Sequence, residues 1–269
     1  MIHPTAVVHP KANIGEGVNI GPFSVIGENV TIGEGTEVMS SVIIDGWTTI
    51  GKNNRIYHGA SIGLAPQDFS YKGQRAFVEI GDNNDIREYV TIHRAANEDG
   101  LTYVGSDNLL MAYVHVAHNC HVGNQVTIAN YAGMAGHTVV EDQAVLGGLV
   151  GIHQHTRIGR LCMIGGCSKI NKDIPPFSIV DGNPCRIFGM NFRGMRRRGI
   201  DQKSRLAVQT AITILGSRGL NIDEAVETIL REVEQTPEVV HLVEFIKGSS
   251  RMGILNKGCG VGIRAGENN

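Results

Sequence analysis

Several features that define common protein classes are missing from this chain of 269 residues. No run of about eighteen apolar residues occurs, so no membrane-spanning helix is predicted. The N-terminus also lacks the charged and apolar segments of a secretory signal. The formal net charge is only −2, which gives no reason to expect nucleic acid as a partner. The five cysteines are odd in number and have no scaffold-like spacing, so we expect reduced thiols and a cytoplasmic protein.

Aromatic residues are also scarce, at 5% of the chain, whereas glycine is abundant, with 35 residues. A core built from large aromatic side chains is therefore not expected. The combination favours a repetitive, turn-rich β architecture over an ordinary mixed core.

An aliphatic residue recurs at every sixth position from Ile2 to Ile170. Of the 29 positions in this frame, 26 are aliphatic or Met. The exceptions are Asp68, Gln74 and Glu98, and the frame resumes after each of them. A helix would repeat every 3.6 residues and a half-buried strand every two, so neither explains a period of six.

A period of six predicts an all-β left-handed parallel β-helix, in which each hexapeptide forms one side of a three-sided prism. The aliphatic residue points inward, and three hexapeptides complete a coil of eighteen residues that stacks on the next. Four residues after each aliphatic position the side chain is usually small, as in Ala6 and Ala12, which suits a crowded corner. Glycine often follows the aliphatic residue, as at Gly15 and Gly21, and we expect it there to relieve strain at turns.

The breaks in the frame divide the chain. We predict a β-helix over residues 1–189, with loops at 64–79 and 94–103 where the frame breaks. Loops on a rigid scaffold often carry binding residues. A helical domain is predicted over 190–256 and a disordered tail over 257–269.

Three helices are expected in the second domain. Asp201 and Asn221 are predicted to cap the first two helices, and Pro237 to open the third. Gly219 is predicted to end the first of them.

The prism has flat outer faces, whereas small-molecule sites are concave. A site on it therefore needs a second wall, from a loop or from a neighbouring subunit. Closed symmetry is the usual solution, so we predict a homotrimer with sites between subunits.

Residues 114–123 contain three histidines and one cysteine, which resembles a metal site at first sight. The period of six places His115 and His121 on different sides of the prism, too far apart to share a metal ion. Cys120 falls in the small inward column and is expected to pack. No metal site within one chain is predicted, although a metal bridging subunits remains open.

The eighteen-residue coil gathers polar residues on one side of three successive coils. His118 should stack on Gly136 and Gln154, and Asn119 on His137. The cluster is a candidate site, and the alternative is a hydrated ladder of imidazoles on the surface. Its members are His118, His137, His153, Gln154 and His155.

Several segments together resemble a known enzyme family, the bacterial acyl-ACP–UDP-N-acetylglucosamine O-acyltransferases, whose reaction opens lipid A synthesis. They include "QDFSYKG", "HVAHNCHVGN", "AGHTVVED", "GIHQH" and "GGCSKINKDIPPFSIVDGNP". The resemblance runs from residue 1 to about residue 255. The related N-acyltransferases usually carry an additional N-terminal domain. Because the repeats here start at Ile2, we expect that domain to be absent, which favours the O-acyltransferases.

The resemblance also implies residue roles. His118 matches the general base, and the N–H of Gly136 matches the oxyanion donor. Gly166 matches a position that limits acyl length, and glycine there leaves room for a long 3-hydroxyacyl chain. The resemblance places the substrate-binding residues at Asp68, His115, Asn119, His137, His153, Gln154, Asn191, Arg197 and Arg198.

The implied reaction transfers a 3-hydroxyacyl chain from acyl carrier protein to the glucosamine 3-hydroxyl of UDP-N-acetylglucosamine. No tightly bound cofactor is expected, since the acyl donor is carried on the phosphopantetheine of acyl carrier protein. The arginines at 193 and 196–198 suit pyrophosphate and an acidic carrier protein, or form a solvated basic face.

Three positions depart from the family pattern. Asn119 stands where an aspartate often orients the base, Ser70 where a lysine is common, and His155 where an aromatic is common. These departures leave open an N-acyltransferase acting on a UDP-2-acetamido-3-amino sugar. An acetyl-CoA-dependent sugar acetyltransferase, a metal-dependent carbonic anhydrase and a non-catalytic scaffold are more distant alternatives.

Overall fold

The six-residue period becomes a series of short strands, one for each side of a coil. The structure is a computed structural model, and it describes residues 1–217, 219–248 and 250–256. Twenty-five strands up to Ile170 wind around a three-sided prism and form three parallel sheets. The predicted left-handed parallel β-helix followed by helices is confirmed. The predicted disordered tail over 257–269 lies outside the described residues.

Each sheet is one outer face of the prism, and up to Ile170 its strands come from every third position in chain order. Face 1 has nine strands: β1 Val7–Val8, β4 Val25–Ile26, β7 Ile43–Ile44, β10 Ser61–Leu64, β13 Thr91–His93, β16 His115–Val116, β19 Gly133–Met134, β22 Gly151–Ile152 and β25 Lys169–Ile170. Face 2 has eight: β2 Asn13–Ile14, β5 Val30–Ile32, β8 Trp47–Ile50, β11 Phe77–Ile80, β14 Leu101–Val104, β17 His121–Val122, β20 Val139–Val140 and β23 Arg157–Ile158. Face 3 has ten: β3 Asn19–Ile20, β6 Glu37–Val38, β9 Arg55–Ile56, β12 Asp85–Ile86, β15 Leu109–Leu110, β18 Thr127–Ile128, β21 Val145–Leu146, β24 Met163–Ile164, β26 Ser178–Asp181 and β27 Arg186–Met190. The last two strands, β26 and β27, extend face 3, with β27 antiparallel to β26.

The register between coils shows how the two loops leave the prism. Val7 pairs with Val25, eighteen residues on, whereas Arg55 pairs with Asp85 and Asp85 with Leu109. The coil that contains the first loop is therefore longer by twelve residues, and the coil with the second by six. Strands extend into both predicted loops, which narrows them to 65–76 and 94–100. We call these segments the first loop and the second loop.

The glycines that follow the aliphatic positions make room for the next coil. A Cβ on Gly33 would lie 2.6 Å from backbone atoms of Gly51, closer than real atoms approach. The left-handed backbone occurs two residues later in most hexapeptides, for example at Asn119 (φ 59) and His137 (φ 60). The expectation that glycine at Gly15 and Gly21 relieves turn strain was therefore wrong, because close stacking of coils is the reason.

Four helices follow the prism: α1 Phe192–Arg197, α2 Gln202–Leu215, α3 Ile222–Glu232 and α4 Pro237–Lys247. The predicted caps are confirmed, since Asp201 accepts from the N–H of Ser204 and Asn221 forms a capping box with Glu224. The predicted end at Gly219 was wrong, because Gly216 already terminates α2. The hexapeptide and helix patterns gave no warning of α1.

The last helix is fastened to the prism by charged groups. The guanidinium of Arg157 lies 4.1 Å from the ring centroid of Phe245 and donates to the carbonyl of Phe245 at 3.2 Å. His241 Nε2 lies 2.9 Å from a carboxylate oxygen of Glu141. Among the described residues, no helix has the length and apolar character needed to cross a membrane.

Candidate active site

A cavity of about 690 Å³ lies on the outside of face 1, beside the first loop. Gly133 and Gly151 occupy outward positions on β19 and β22, next to His115 on β16. Because glycine has no side chain, the floor of the cavity at these positions lies deeper than the neighbouring side chains. We call it the histidine cavity, and its polar lining consists of Gln67, Asp68, His93, His115, His118, His153, Gln154 and Lys169.

His118 follows β16 at a corner of the prism, and only 8% of its surface is exposed. Its ring lies against Gly136 in the next coil. A Cβ at residue 136 would be 2.3 Å from His118 Cε1 and 2.5 Å from Nε2. The predicted stacking of His118 on Gly136 is therefore confirmed, and only glycine allows this ring position.

The ring of His118 is held through its Nδ1 atom. Nδ1 lies 2.9 Å from Asn119 Oδ1, and the same oxygen accepts the N–H of Ala96 at 3.1 Å. The other ring nitrogen, Nε2, faces the cavity and lies 3.4 Å from Asp68 Oδ2. An imidazole held at Nδ1 and open at Nε2 has the geometry of a general base.

The backbone next to His118 offers a hydrogen-bond donor. The N–H of His137 donates to the carbonyl of His118, and the N–H of Ala135 to that of Ile152. Between them, the N–H of Gly136 has no acceptor among the described residues. A free N–H at the wall of the cavity, against the imidazole, can bind an oxyanion.

Asp68 reaches the histidine cavity from the first loop. The N–H of Ser70 donates to its carboxylate at 2.8 Å. Hydrogen bonds from the N–H and the hydroxyl of Ser70, followed by the nearby His118 and His137, keep the pKa of Asp68 below its usual value. Arg94 holds the loop by donating to the hydroxyl of Tyr71 at 2.9 Å. Asp68 is therefore an anionic acceptor directly above Nε2.

His93 is a cavity residue that the sequence did not reveal. Burial, then the charges of His115, His118 and Arg94, lowers its pKa to about 4. Its ring packs edge-on against His115 at 5.0 Å, and Thr91 Oγ1 lies 2.7 Å from His115 Nδ1. Counting eighteen residues misplaces His93, because the second loop lengthens this coil to twenty-four. Its position directly after Ile92, where glycine is common, was the available signal.

A second group of imidazoles lies at the rim. The ring of His137 is 5.3 Å from His118 in an edge arrangement and stacks on His155 at 4.6 Å. Burial, followed by the charges of His155 and His118, lowers the pKa of His137. His137 and His155 do not line the histidine cavity, whereas His153 and Gln154 do. The predicted cluster is therefore divided between the cavity wall and a surface ladder.

Asn191, Arg197 and Arg198 lie elsewhere, around a cavity of about 670 Å³ that we call the arginine cavity. It also contains outward residues of face 3, Val145 and Met163. These three residues, which the resemblance places among the substrate-binding residues, are thus not brought together with the histidine cavity, which lies on face 1.

Two of these residues are already tied into the fold. Asn191 caps α1 by accepting from the N–H of Gly194 at 2.9 Å and donates to the carbonyl of Leu161. Arg198 donates to Gln125 at 2.6 Å.

Gly166 is exposed and lines neither cavity. Its nearest neighbour in the preceding coil is Gly148.

The remaining members of the histidine-rich segment are placed as expected. Cys120 is fully buried, and burial raises the pKa of its thiol to about 12, so it packs rather than reacts. His121 lies on face 2, stacked on Tyr103 at 4.6 Å, whereas His115 lies on face 1. In the part of the chain that the structure describes, no three His, Cys, Asp or Glu residues are placed to hold a metal ion.

Comparison with known proteins agrees with this architecture. The domain described as "Udp N-acetylglucosamine O-acyltransferase; Domain 2" matches residues 173–255, and the bacterial transferase hexapeptide matches 102–136. The acyl-[acyl-carrier-protein]–UDP-N-acetylglucosamine O-acyltransferase of Thermodesulfovibrio yellowstonii is 48% identical over 93% of this chain and 97% of its own length. The chain belongs to the UDP-N-acetylglucosamine O-acyltransferase family. The family resemblance inferred from the motifs is confirmed.

Solved structures of UDP-N-acetylglucosamine acyltransferases share the fold along nearly the whole chain. LpxA from Acinetobacter baumannii is 42% identical, with a TM-score of 0.91 over 94% of this chain and 99% of its own. The Arabidopsis UDP-N-acetylglucosamine acyltransferase is 33% identical, with a TM-score of 0.84 over 95% of this chain and 100% of its own.

Proposed function

We propose that the chain transfers a 3-hydroxyacyl group from acyl carrier protein to the 3-hydroxyl of UDP-N-acetylglucosamine, with His118 as general base. The observation that carries the residue assignment is the position of His118 Nε2. It faces the histidine cavity between the free N–H of Gly136 and the carboxylate of Asp68, 3.4 Å away.

These three groups can perform each step of acyl transfer. Nε2 removes the proton as the sugar oxygen bonds to the thioester carbon, because a hydroxyl is a weak nucleophile. The N–H of Gly136 stabilises the negative charge on the thioester oxygen. The imidazolium then lies close to the Asp68 carboxylate, and its proton goes to the sulfur as the C–S bond breaks. The products are the ester and the free phosphopantetheine thiol.

The separation of the two cavities supports a homotrimer. A substrate with a sugar at His118 and a pyrophosphate at Arg198 would have to contact faces 1 and 3 at once. Packing face 1 of one subunit against face 3 of the next by three-fold symmetry would join the cavities. Phe69, in the first loop, is fully exposed in a single chain, and burial of this apolar ring against a neighbouring subunit would favour the trimer.

Subunit mixing tests this arrangement. Coexpression of His118→Ala and Arg198→Ala chains should give trimers in which some sites combine an intact His118 with an intact Arg198. Random mixing makes that fraction about a quarter, so about a quarter of the wild-type rate should return. Mixed preparations as inactive as either variant alone, or a monomer by light scattering, would contradict shared sites.

Recognition of the acyl donor is assigned to the arginines of α1 and to the stacked pair Gly148 and Gly166. The arginines of α1 form a basic surface near the arginine cavity, which suits the acidic carrier protein. Gly148 and Gly166 are stacked neighbours without side chains, which leaves a path for a long acyl chain beside them.

The reaction is tested by mass spectrometry of the product formed from UDP-N-acetylglucosamine and mixed 3-hydroxyacyl carrier proteins. His118→Ala should lower kcat by at least about a hundredfold. Equal turnover by wild type and variant would remove His118 as base. Asn119, a neutral partner for the imidazole, keeps the 3-amino sugar nucleotide as a second candidate acceptor, because an amine depends less on a strong base. Competition between both acceptors in one reaction decides between ester and amide.

A further inference from the structure

The second loop contacts Asn119, the residue that holds the imidazole of His118. Asn97 lies in this loop, exposed at the surface, and does not line the histidine cavity. We propose that Asn97 is a positioning residue that fixes the tautomer of His118 through Asn119. The inference rests on the proposed role of His118 as the base.

Two hydrogen bonds connect Asn97 through Asn119 to the imidazole, and two bonds with backbone groups fix the orientation of the two amides. Asn97 Nδ2 donates to the carbonyl of Glu98 at 3.2 Å, so Oδ1 is the atom that faces Asn119. Asn119 Nδ2 donates to that oxygen at 2.7 Å. The N–H of Ala96 donates to Asn119 Oδ1 at 3.1 Å. A carbonyl only accepts and a backbone N–H only donates, so neither amide can be reversed without an opposed pair.

The direction of these bonds assigns the hydrogen on the ring. Asn119 Oδ1 is an acceptor, and it lies 2.9 Å from His118 Nδ1, so Nδ1 carries the hydrogen and Nε2 keeps its lone pair. Asp68 would favour the opposite tautomer by accepting from Nε2. Its oxygen lies 3.4 Å away, beyond the usual N–H···O range of about 2.7–3.2 Å. The geometry therefore favours the tautomer that is basic at the cavity.

The second loop has little room to place Asn97 differently. A Cβ on Gly100 would lie 2.3 Å from Asn97 Oδ1 and 2.8 Å from Ala95 Cβ. The backbone N–H of Asn119 is held by Thr102 Oγ1 at 2.8 Å. An aspartate at position 119 would oppose a carboxylate oxygen to Asn97 Oδ1. Asn97 and Asn119 are thus matched to each other, and the amide at 119 requires the acceptor at 97.

A pair of substitutions separates the acceptor from the volume of the side chain. Asn97→Leu removes the oxygen, whereas Asn97→Asp, of similar shape, retains it and loses only the 3.2 Å bond to the carbonyl of Glu98. We expect kcat to fall about five- to tenfold in Asn97→Leu, as for loss of one hydrogen bond, with KM changed less than twofold. Asn97→Asp should keep kcat within about twofold of wild type. Equal losses in both variants would overturn the positioning role.

Nitrogen-15 NMR of the full-length protein, with its histidine rings labelled, reads the tautomer without any turnover. The chain has 11 histidines, and the signal that disappears in His118→Ala belongs to His118. Wild type and Asn97→Asp should show a protonated Nδ1 and a bare Nε2, and Asn97→Leu should show a mixture. A wild-type signal with the hydrogen on Nε2, or one unchanged in Asn97→Leu, would refute the inference. Full turnover by His118→Ala would instead refute the proposed function, whichever tautomer is seen.

Discussion

Replacement of Gly136 by alanine is the most direct perturbation of the proposed site, because it acts on two of its groups. The new Cβ would lie 2.3 Å from His118 Cε1 and 2.5 Å from Nε2. Carbon atoms in ordinary contact are about 3.5–4.0 Å apart, so the imidazole has to retreat by about 1 Å or more. The φ angle of Gly136 is not in the left-handed region, so alanine adds no backbone strain.

A displacement of about 1 Å at a reacting group lowers the rate about a hundredfold, which corresponds to about 2.7 kcal/mol in the barrier. The loss should appear in kcat rather than in KM, because the sugar nucleotide still meets its other contacts. Steady-state kinetics with one acyl carrier protein, at several concentrations of UDP-N-acetylglucosamine, separates the two constants. Circular dichroism and thermal unfolding establish that the β-helix is intact.

Gly216→Ala is the matched control for this substitution. Gly216 ends α2 with ordinary φ and ψ of −84° and −2°, and its Cβ would meet nothing closer than 3.4 Å. It should therefore behave as wild type. If Gly136→Ala kept kcat within threefold of wild type while its fold was intact, the imidazole would not need its observed place, and the assigned base and oxyanion donor would both fail.

Three further outcomes are expected. His93 has its pKa lowered to about 4, so only the unfolded chain binds its proton as pH falls from about 6.5 to 4, and folding is weakened there. The free energy of unfolding, measured with urea, should fall between pH 6.5 and 4 in wild type by up to roughly 3 kcal/mol more than in His93→Gln. Identical pH profiles would contradict the neutral buried imidazole. Arg157→Ala removes the contacts to Phe245 and should cost about 2 kcal/mol, with faster hydrogen exchange in α4; unchanged exchange there would show that Arg157 does not fasten the helix. Gly166→Met should shift the preference towards short acyl chains when rates are compared for carrier proteins loaded with short and with long chains. An unchanged preference, or a wild type that prefers the shortest chain, would refute the assigned path.

The prism could be predicted from the sequence because each buried aliphatic residue marks the inward position of its own hexapeptide. A residue such as Ile44 or Ile128 is needed at one inward position in each hexapeptide, so the period alone gives the sheets and the coil. The stacking of His118 on Gly136 followed from the same count. Helix caps were equally readable, because Asp201 and Asn221 act within their own turn.

The features that the sequence did not predict depend on contacts that the spacing of six residues per side and eighteen per coil does not determine. His93 was missed because the second loop lengthens its coil, and Asn97 because a side chain in a loop has no fixed register. The glycines after the aliphatic positions were interpreted as turn residues, whereas the structure shows that neighbouring coils exclude a Cβ there. The separation of Arg198 from His118 onto different faces required knowledge of how the chain leaves the prism after Ile170.

The lengths of the two loops have a practical consequence for changing this protein. Twelve and six added residues are whole multiples of the hexapeptide, so the inward frame that begins at Ile2 still holds at Ile170. Each loop leaves and re-enters the prism between strands that pair in register, so a change in loop length does not alter the pairing of the later coils. Exchange of the first loop for a longer or shorter one would alter what lies beside the histidine cavity while every later coil kept its orientation. The loop that lines the histidine cavity can therefore be changed without changing the scaffold that carries it.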